Sequence, residues 1–323
     1  IRDTFHYLIA RIARIYPLHF ITLVATLLFF ITVALINWGL EKESCCVFDG
    51  SLRNAESLVA NLFLIHAWGM FDWVTWNLPS WSLSAEFFCY LIFAALLTLD
   101  GENRKLALIA LACTTLLFYC LCLATSSDVD ENFQLSTVRA ASAFTIGIML
   151  FLGRGVISAI PEKRLTYIQI AASIALLLAL HFGLTDILSI TLMALIVLLT
   201  WEDRGYLCNC LTTRHMHTIG LLSFSIYMWH YLIKFIAKND WESFTGLPLQ
   251  SSAAGSILFV ACLIGLVLPI SVWSYRFLEM PTRKWISLRL NGLLEARYPP
   301  KWQLILVPSQ RKKKAFLYWP FIK

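Results

Sequence analysis

Four stretches of the chain, Leu18 to Trp38, Leu106 to Ala124, Leu165 to Thr185 and Leu247 to Tyr275, contain no Asp, Glu, Lys or Arg. About 20 residues of helix cross the hydrocarbon of a bilayer, so each stretch predicts a spanning helix. Adding the shorter apolar runs gives eight predicted spans: Leu18 to Trp38, Trp81 to Leu99, Leu106 to Ala124, Thr137 to Leu152, Leu165 to Thr185, Ile187 to Trp201, Thr218 to Ile236 and Ala253 to Tyr275. A ninth apolar stretch, Ser57 to Phe71, carries Asn61, His66 and Gly69 and is short for a span, which predicts a re-entrant or interfacial segment. The expected fold is an all-α, polytopic transmembrane helix bundle. It has short loops and no internal repeat, with one membrane domain over residues 1–290 and a basic tail at 291–323.

Composition narrows the class further. Of 323 residues, 59% are hydrophobic and 14% charged, against about 45 to 50% and about 25% in soluble domains. This excludes a soluble α/β enzyme, a disordered chain, a nucleic-acid-binding domain and a secreted disulfide scaffold. Several of the nine cysteines (Cys89, Cys113, Cys120, Cys122, Cys262) lie in apolar runs, where a thiol acts as a small hydrophobe. Cys45-Cys46 sits in a polar loop, and Cys208-Asn209-Cys210 lacks the second ligand pair of a zinc site, so no metal is expected.

Charge placement sets the expected topology. The net charge is +6, yet past Tyr275 there are eleven Lys or Arg against only Glu279 and Glu295. The Arg311-Lys312-Lys313-Lys314 cluster reads as a cytoplasmic tail beside anionic membrane lipid rather than a nucleic-acid site. With eight spans, Arg2, Arg11, Arg14, Arg104, Lys105, Arg154, Lys163, Arg164, Arg204 and Arg214 fall on the same side as that tail. Only Lys42, Arg53, Lys234 and Lys238 fall opposite, so both ends are expected in the cytoplasm. The chain opens at Ile1 with no signal-peptide pattern, and an upstream segment is expected.

Polar groups inside or beside apolar runs are the candidate chemistry, because a charged side chain at a helix centre costs about 2.5 to 3.5 kcal/mol on insertion scales. Arg11 and Arg14, three apart ahead of Pro17, share a helical face and can grip a phosphate in bidentate fashion; the bland alternative is positive-inside flanking. In Leu78-Pro79-Ser80-Trp81-Ser82-Leu83-Ser84-Ala85-Glu86, the side chains of Ser82, Glu86 and Tyr90 share a face. Glu86 is expected either at a functional site or in a structural ion pair with Arg139 or Arg276. Ser223, Tyr227 and His230 form another stripe, in which His230 is either a proton-transfer group or a hydrogen-bonded helix contact. Arg139 opens its span and either snorkels or pairs with Glu86. Arg276 and Glu279 are expected to pair at a helix end terminated by Pro281, and His66 and His181 read as packing or interfacial.

Taken in order, Arg11-x-x-Arg14-Ile15-x-Pro17, Trp81-Ser82-Leu83-Ser84-x-Glu86, Arg139 with Phe144 and Gly147, Ser223-x-Ser225-x-Tyr227-x-x-His230 and Glu279-x-Pro281 resemble the acyltransferase 3 family over about residues 1–290. The resemblance implies a bacterial-type inner-membrane enzyme that moves an acyl group, often acetyl, from acyl-CoA to a hydroxyl of a glycan, lipid-linked saccharide or glycoside. It makes acyl-CoA a co-substrate with no resident cofactor. It assigns Arg11 and Arg14 to the donor, leaves His230 and Glu86 as catalytic candidates, and gives Trp81, Ser82, Ser84, Arg139, Tyr227, Arg276 and Glu279 structural or acceptor-side roles. Glu86, Arg139 and His230 are expected toward the outer half of the membrane.

The family normally opens with two further spans, the first bearing an Arg-x10-His motif that holds its catalytic histidine. That motif is not in this sequence: eleven positions after Arg2, Arg11 and Arg14 stand Ala13, Thr22 and Ala25. The expectation is an N-terminally incomplete chain, with an inactive relative as the alternative. A transporter or flippase of a lipid-linked substrate is the rival from another class, since buried polar groups in a bundle suit it as well.

Overall fold

The computed structural model describes residues 2–39, 53–125, 135–245 and 253–297, and every regular element among them is helical. The elements are α1 (Arg2–Gly39), α2 (Ala55–Leu62), α3 (Ser80–Thr98), α4 (Gly101–Thr125), α5 (Ser136–Gly153), α6 (Glu162–His181), α7 (Asp186–Leu199), α8 (Tyr206–Leu211), α9 (Arg214–Thr245), α10 (Ala253–Ser274) and α11 (Met280–Arg297). A 3₁₀ turn (Arg154–Ala159) follows α5 and a π turn (Tyr275–Glu279) joins α10 to α11. Among the described residues seven helical runs, one of them α10 continued into α11, are long and apolar enough to cross a membrane, and α7 is a shorter apolar helix of 14 residues. Cys45-Cys46 and the Arg311 to Lys314 cluster lie outside the described residues.

The eight predicted spans all fall on helices, with three differences. The first helix starts at Arg2 rather than Leu18, so Arg11, Arg14 and Pro17 lie inside it. Pro17 deprives the Ala13 carbonyl of its partner, a loss that neighbouring helices make tolerable in a membrane bundle. Pro281 does not end its helix. The wide π turn comes just before it, with the Met280 N–H reaching back to the Tyr275 carbonyl, and the helical run continues through Pro281 into α11.

The third difference concerns α7, which at about 21 Å is too short to cross alone. Its C-terminal end reaches Gln169 of α6, whose Nε2 donates to the carbonyls of Leu199 (3.0 Å) and Arg204 (2.8 Å). Arg204 in turn donates to the carbonyl of Ile157 (2.9 Å). The segment after α7 thus completes the crossing and returns the chain to the end that holds the α5–α6 connection. Gly205, at φ +92°, makes this possible, because a Cβ there would stand 2.4 Å from Gln169 Oε1. Cys208 packs into the same knot, its sulfur 3.8 Å from Gln169 Nε2.

The helices alternate in direction, so the start of α1 and all of α11 lie at one end of the bundle. His6 Nδ1 meets Asn291 Oδ1 at 2.8 Å there. The core is a three-helix seam in which Ile15 and Leu18 of α1, Leu83 and Tyr90 of α3 and Met228 of α9 pack with Leu64. Leu64 belongs to the expected re-entrant segment. Here α2 and an irregular stretch at 63–79 tuck against α1 and α3, with Leu64 (φ 57°) and Trp76 (φ 51°) in left-handed conformations. Irregular backbone survives at membrane depth only where protein satisfies it. Ser84 does so, donating to the Leu64 carbonyl (2.8 Å) and accepting from the Ala67 N–H (3.1 Å), while Ser136 donates to the Ala67 carbonyl.

Candidate active site

Arg11 and Arg14 point from α1 toward two different neighbours. The Arg11 guanidinium lies over the rings of Tyr7 (5.2 Å) and Tyr90 (5.4 Å), whose edge-to-face packing (6.1 Å) makes a cradle. Arg14 is exposed and lies in the electrostatic field of Glu279 on the π turn, as does Arg283. Both arginines act on the Tyr90 hydroxyl, which places their charges around one point. Tyr7 also packs on Phe93 of α3, five residues before that helix ends, so Arg11 stands roughly one turn deeper than Phe93. Neither arginine makes an ion pair with a described carboxylate.

The carboxylates beside them are already engaged. Tyr90 donates its hydroxyl to Glu86, and Ser225 donates to Glu279 at 2.8 Å. Glu86 therefore shares Tyr90 with Arg11 in the N-terminal half of α3, and the expected pair with Arg139 is not among the ion pairs of the described residues. Arg139 lies over the Trp81 indole at 5.0 Å. The Arg276–Glu279 pair does not form either, because the π turn advances by more than four residues per turn and leaves Arg276 exposed while Glu279 is buried.

The Trp-Ser-Leu-Ser-x-Glu run thus has divided duties. Trp81 underlies Arg139, Ser84 anchors the 63–79 segment, and Ser82 meets the Tyr227 hydroxyl of α9 at 2.8 Å. Tyr227 also donates to the Pro79 carbonyl at 3.0 Å. His230 donates from Nδ1 to the Tyr227 carbonyl and lies obliquely near that ring at 5.6 Å, so both contacts stay within α9. Ser223 turns back to its own helix at the Gly220 carbonyl.

Sequence reasoning passes over a second set of polar groups. His19, Thr22, Asn61, His66, Asn77 and Ser80 are all fully buried between α1, α2, α3 and the 63–79 segment. The signal for His19 is present in the sequence, since an imidazole within an apolar span is a functional flag by default.

Residues 1–276 match the acyltransferase domain of the acyltransferase 3 family. No curated protein and no solved structure matches the chain. A match over more than four-fifths of the sequence, on a bundle of apolar helices long enough to cross a bilayer, identifies the protein: the chain belongs to the acyltransferase 3 family of membrane acyltransferases.

Proposed function

We propose that the protein transfers an acyl group, of which acetyl is the simplest, from acyl-CoA to a hydroxyl of a glycan or lipid-linked saccharide. The observation that carries this reading is the state of Arg11 and Arg14. Two guanidinium groups sit one turn apart on a membrane helix, braced by aromatic rings and by carboxylates that are themselves hydrogen-bonded, and neither is paired with a carboxylate among the described residues. Such a pair suits the bidentate geometry of a pyrophosphate. On this reading Glu86 acts through Tyr90 to orient Arg11, and Glu279 holds Arg14, so both belong to the donor end. Tyr227, Ser82 and His230 line the way toward the acceptor end, with Trp81, Ser84, Arg139 and Arg276 supporting the helices around it.

The arginine-bearing end would face the cytoplasm, where acyl-CoA is made, in a bacterial-type inner membrane. The concentration of basic loop residues at that end supports this orientation. Bound there, the donor would direct its acyl arm along α1 into the bundle. The acceptor oxygen attacks the thioester carbonyl, its proton passes to a base, and the coenzyme leaves as a thiol.

Kinetics on the full-length protein in membranes test this, with acetyl-CoA varied. Arg11→Ala or Arg14→Ala is expected to raise the KM for acetyl-CoA by about ten- to a hundredfold, the scale of a lost hydrogen bond to a charged group. Arg→Lys should recover only part, because an ammonium cannot reproduce the planar fork. An unchanged KM in both alanine variants removes the donor assignment.

A further inference from the structure

Helix α11 runs beside the first half of α1, and one hydrogen bond fixes the register of that contact. His6 Nδ1 meets Asn291 Oδ1 at 2.8 Å. The two helices point in opposite directions, so moving eight residues inward on each, about 12 Å, brings Arg14 of α1 level with Arg283 of α11. Electrostatics agree with that register: Arg14 and Arg283 both act on Glu279, and Arg283 acts on Tyr275 as well.

The π turn determines which side chains share this face. Its wider turn sets Glu279 into the bundle, where it is 5% exposed and accepts from Ser225 Oγ at 2.8 Å. The Thr282 hydroxyl reaches back to the Leu278 and Glu279 carbonyls, and the helix resumes with Arg283, half-buried, one turn beyond Glu279 on the same side. One carboxylate thus faces a guanidinium group from each of two helices, and Arg11 stands a turn away over Tyr90. A single negative charge cannot offset two cations, so the α1–α11 face keeps a positive excess that charge balance with Glu279 alone leaves unexplained.

The chemistry of the donor supplies a partner for that excess. A coenzyme A thioester carries two kinds of phosphate: a pyrophosphate diester and, on the ribose, a 3′-phosphate monoester with about −1.5 to −2 charge near neutral pH. Arg11 and Arg14 match the first. The ribose holds the monoester to one side of the pyrophosphate. Arg283 likewise stands to one side of Arg14, across a spacing that packed helices set at about 8 to 10 Å between axes and that long arginine side chains narrow.

We propose that Arg283 is a donor-specificity residue that binds the 3′-phosphate of a coenzyme A thioester whose pyrophosphate lies on Arg11 and Arg14. This rests on the reading of those two arginines as the donor site and adds to it a third cation from a different helix. The protein then distinguishes coenzyme A from its dephosphorylated form through α11, while the two arginines of α1 hold both alike.

The test is equilibrium binding of coenzyme A and of 3′-dephospho-coenzyme A to the full-length protein in proteoliposomes. The wild-type protein is expected to bind coenzyme A about ten- to a hundredfold more tightly, the scale of hydrogen bonds to a charged group. Arg283→Ala should weaken coenzyme A by that factor and leave dephospho-coenzyme A within about twofold, abolishing the discrimination. Arg283→Gln keeps a long stem and an N–H against misfolding and should lose the discrimination too, whereas Arg283→Lys should keep part of it. Arg11→Ala and Arg14→Ala should weaken both ligands and leave their ratio unchanged. Equal binding of the two ligands by the wild-type protein overturns the proposal. So does an Arg283→Ala or Arg283→Gln variant that keeps the wild-type ratio, whether or not both affinities fall, which is the result expected if Arg283 only balances Glu279. If the Arg283 variants lose the discrimination while Arg11→Ala and Arg14→Ala leave both Kd values unchanged, the pyrophosphate reading fails and the 3′-phosphate site stands. Binding of neither ligand overturns both.

Discussion

At the scale of single residues, the chain shows how one atom decides a local conformation. Gly205 at φ +92° approaches Gln169 so closely that a methyl group would overlap its amide oxygen, whereas Gly183 at φ +59° has open space around its missing Cβ. Gly183→Ala should therefore cost only the left-handed strain, about 1 kcal/mol, and Gly205→Ala that strain plus displacement of a buried amide, about 2 to 4 kcal/mol. Thermal unfolding of both variants in detergent checks the ranking, and equal losses would discard the overlap argument. Residue identity also sets the limit of what the sequence reveals. The pairing of Arg11 with Arg14 is legible as two cations at helical spacing ahead of an apolar run, and that spacing alone does not separate a phosphate grip from positive-inside flanking. Their partners are not legible, since Tyr7 and Tyr90 lie 83 positions apart and meet only once α1 and α3 pack. His19 escapes notice for a different reason. A neutral imidazole among apolar neighbours looks like packing until its unpaired nitrogen is seen.

At the scale of elements, apolar periodicity locates every span, but the joints between helices follow other rules. A run of hydrophobic residues shows that α1 crosses the membrane and not that it extends back to Arg2, because its first turns pair with α11 rather than with lipid. Pro281 reads as a stop, yet the π turn ahead of it carries the chain onward. The 63–79 segment is the element least visible in sequence. Its path is fixed by side-chain to backbone hydrogen bonds from Ser80, Ser84 and Ser136, and these leave no periodic trace. Within the Ser82-Leu83-Ser84 run, the two hydroxyls thus differ in consequence. Ser84→Ala strands a buried carbonyl and a buried N–H and should cost about 2 to 4 kcal/mol, with faster hydrogen exchange across 63–79. Ser82→Ala removes the half-exposed contact to Tyr227 and a local bond to the Pro79 carbonyl, which Tyr227 still serves, and should cost about 1 kcal/mol with no change in exchange there. Equal exchange in the two variants would show that Ser84 does not hold the segment.

At the scale of the whole molecule, the bundle concentrates its polarity along one line. Apolar side chains cover the outer faces of α4, α6 and α10, as a lipid-facing surface requires. Along α1 the order is instead Arg11, Arg14, His19, Thr22 and Thr26, from the end shared with α11 to the cleft beside Phe235. A donor held at one end of that line and an acceptor at the other would meet near its middle, inside protein and away from bulk water. The family assignment follows from sequence; the gathering of Arg11, Glu86 and Tyr90 at one place emerges only from the packing of α1 against α3. The central claim is that Arg11 and Arg14 hold the nucleotide half of an acyl-CoA. The most direct test is an experimental structure of the full-length protein with acetyl-CoA bound. Pyrophosphate oxygens are expected within hydrogen-bond distance of both guanidinium groups, with the acyl arm running along α1 into the bundle. Nucleotide seated elsewhere, with both guanidinium groups unliganded, would contradict it.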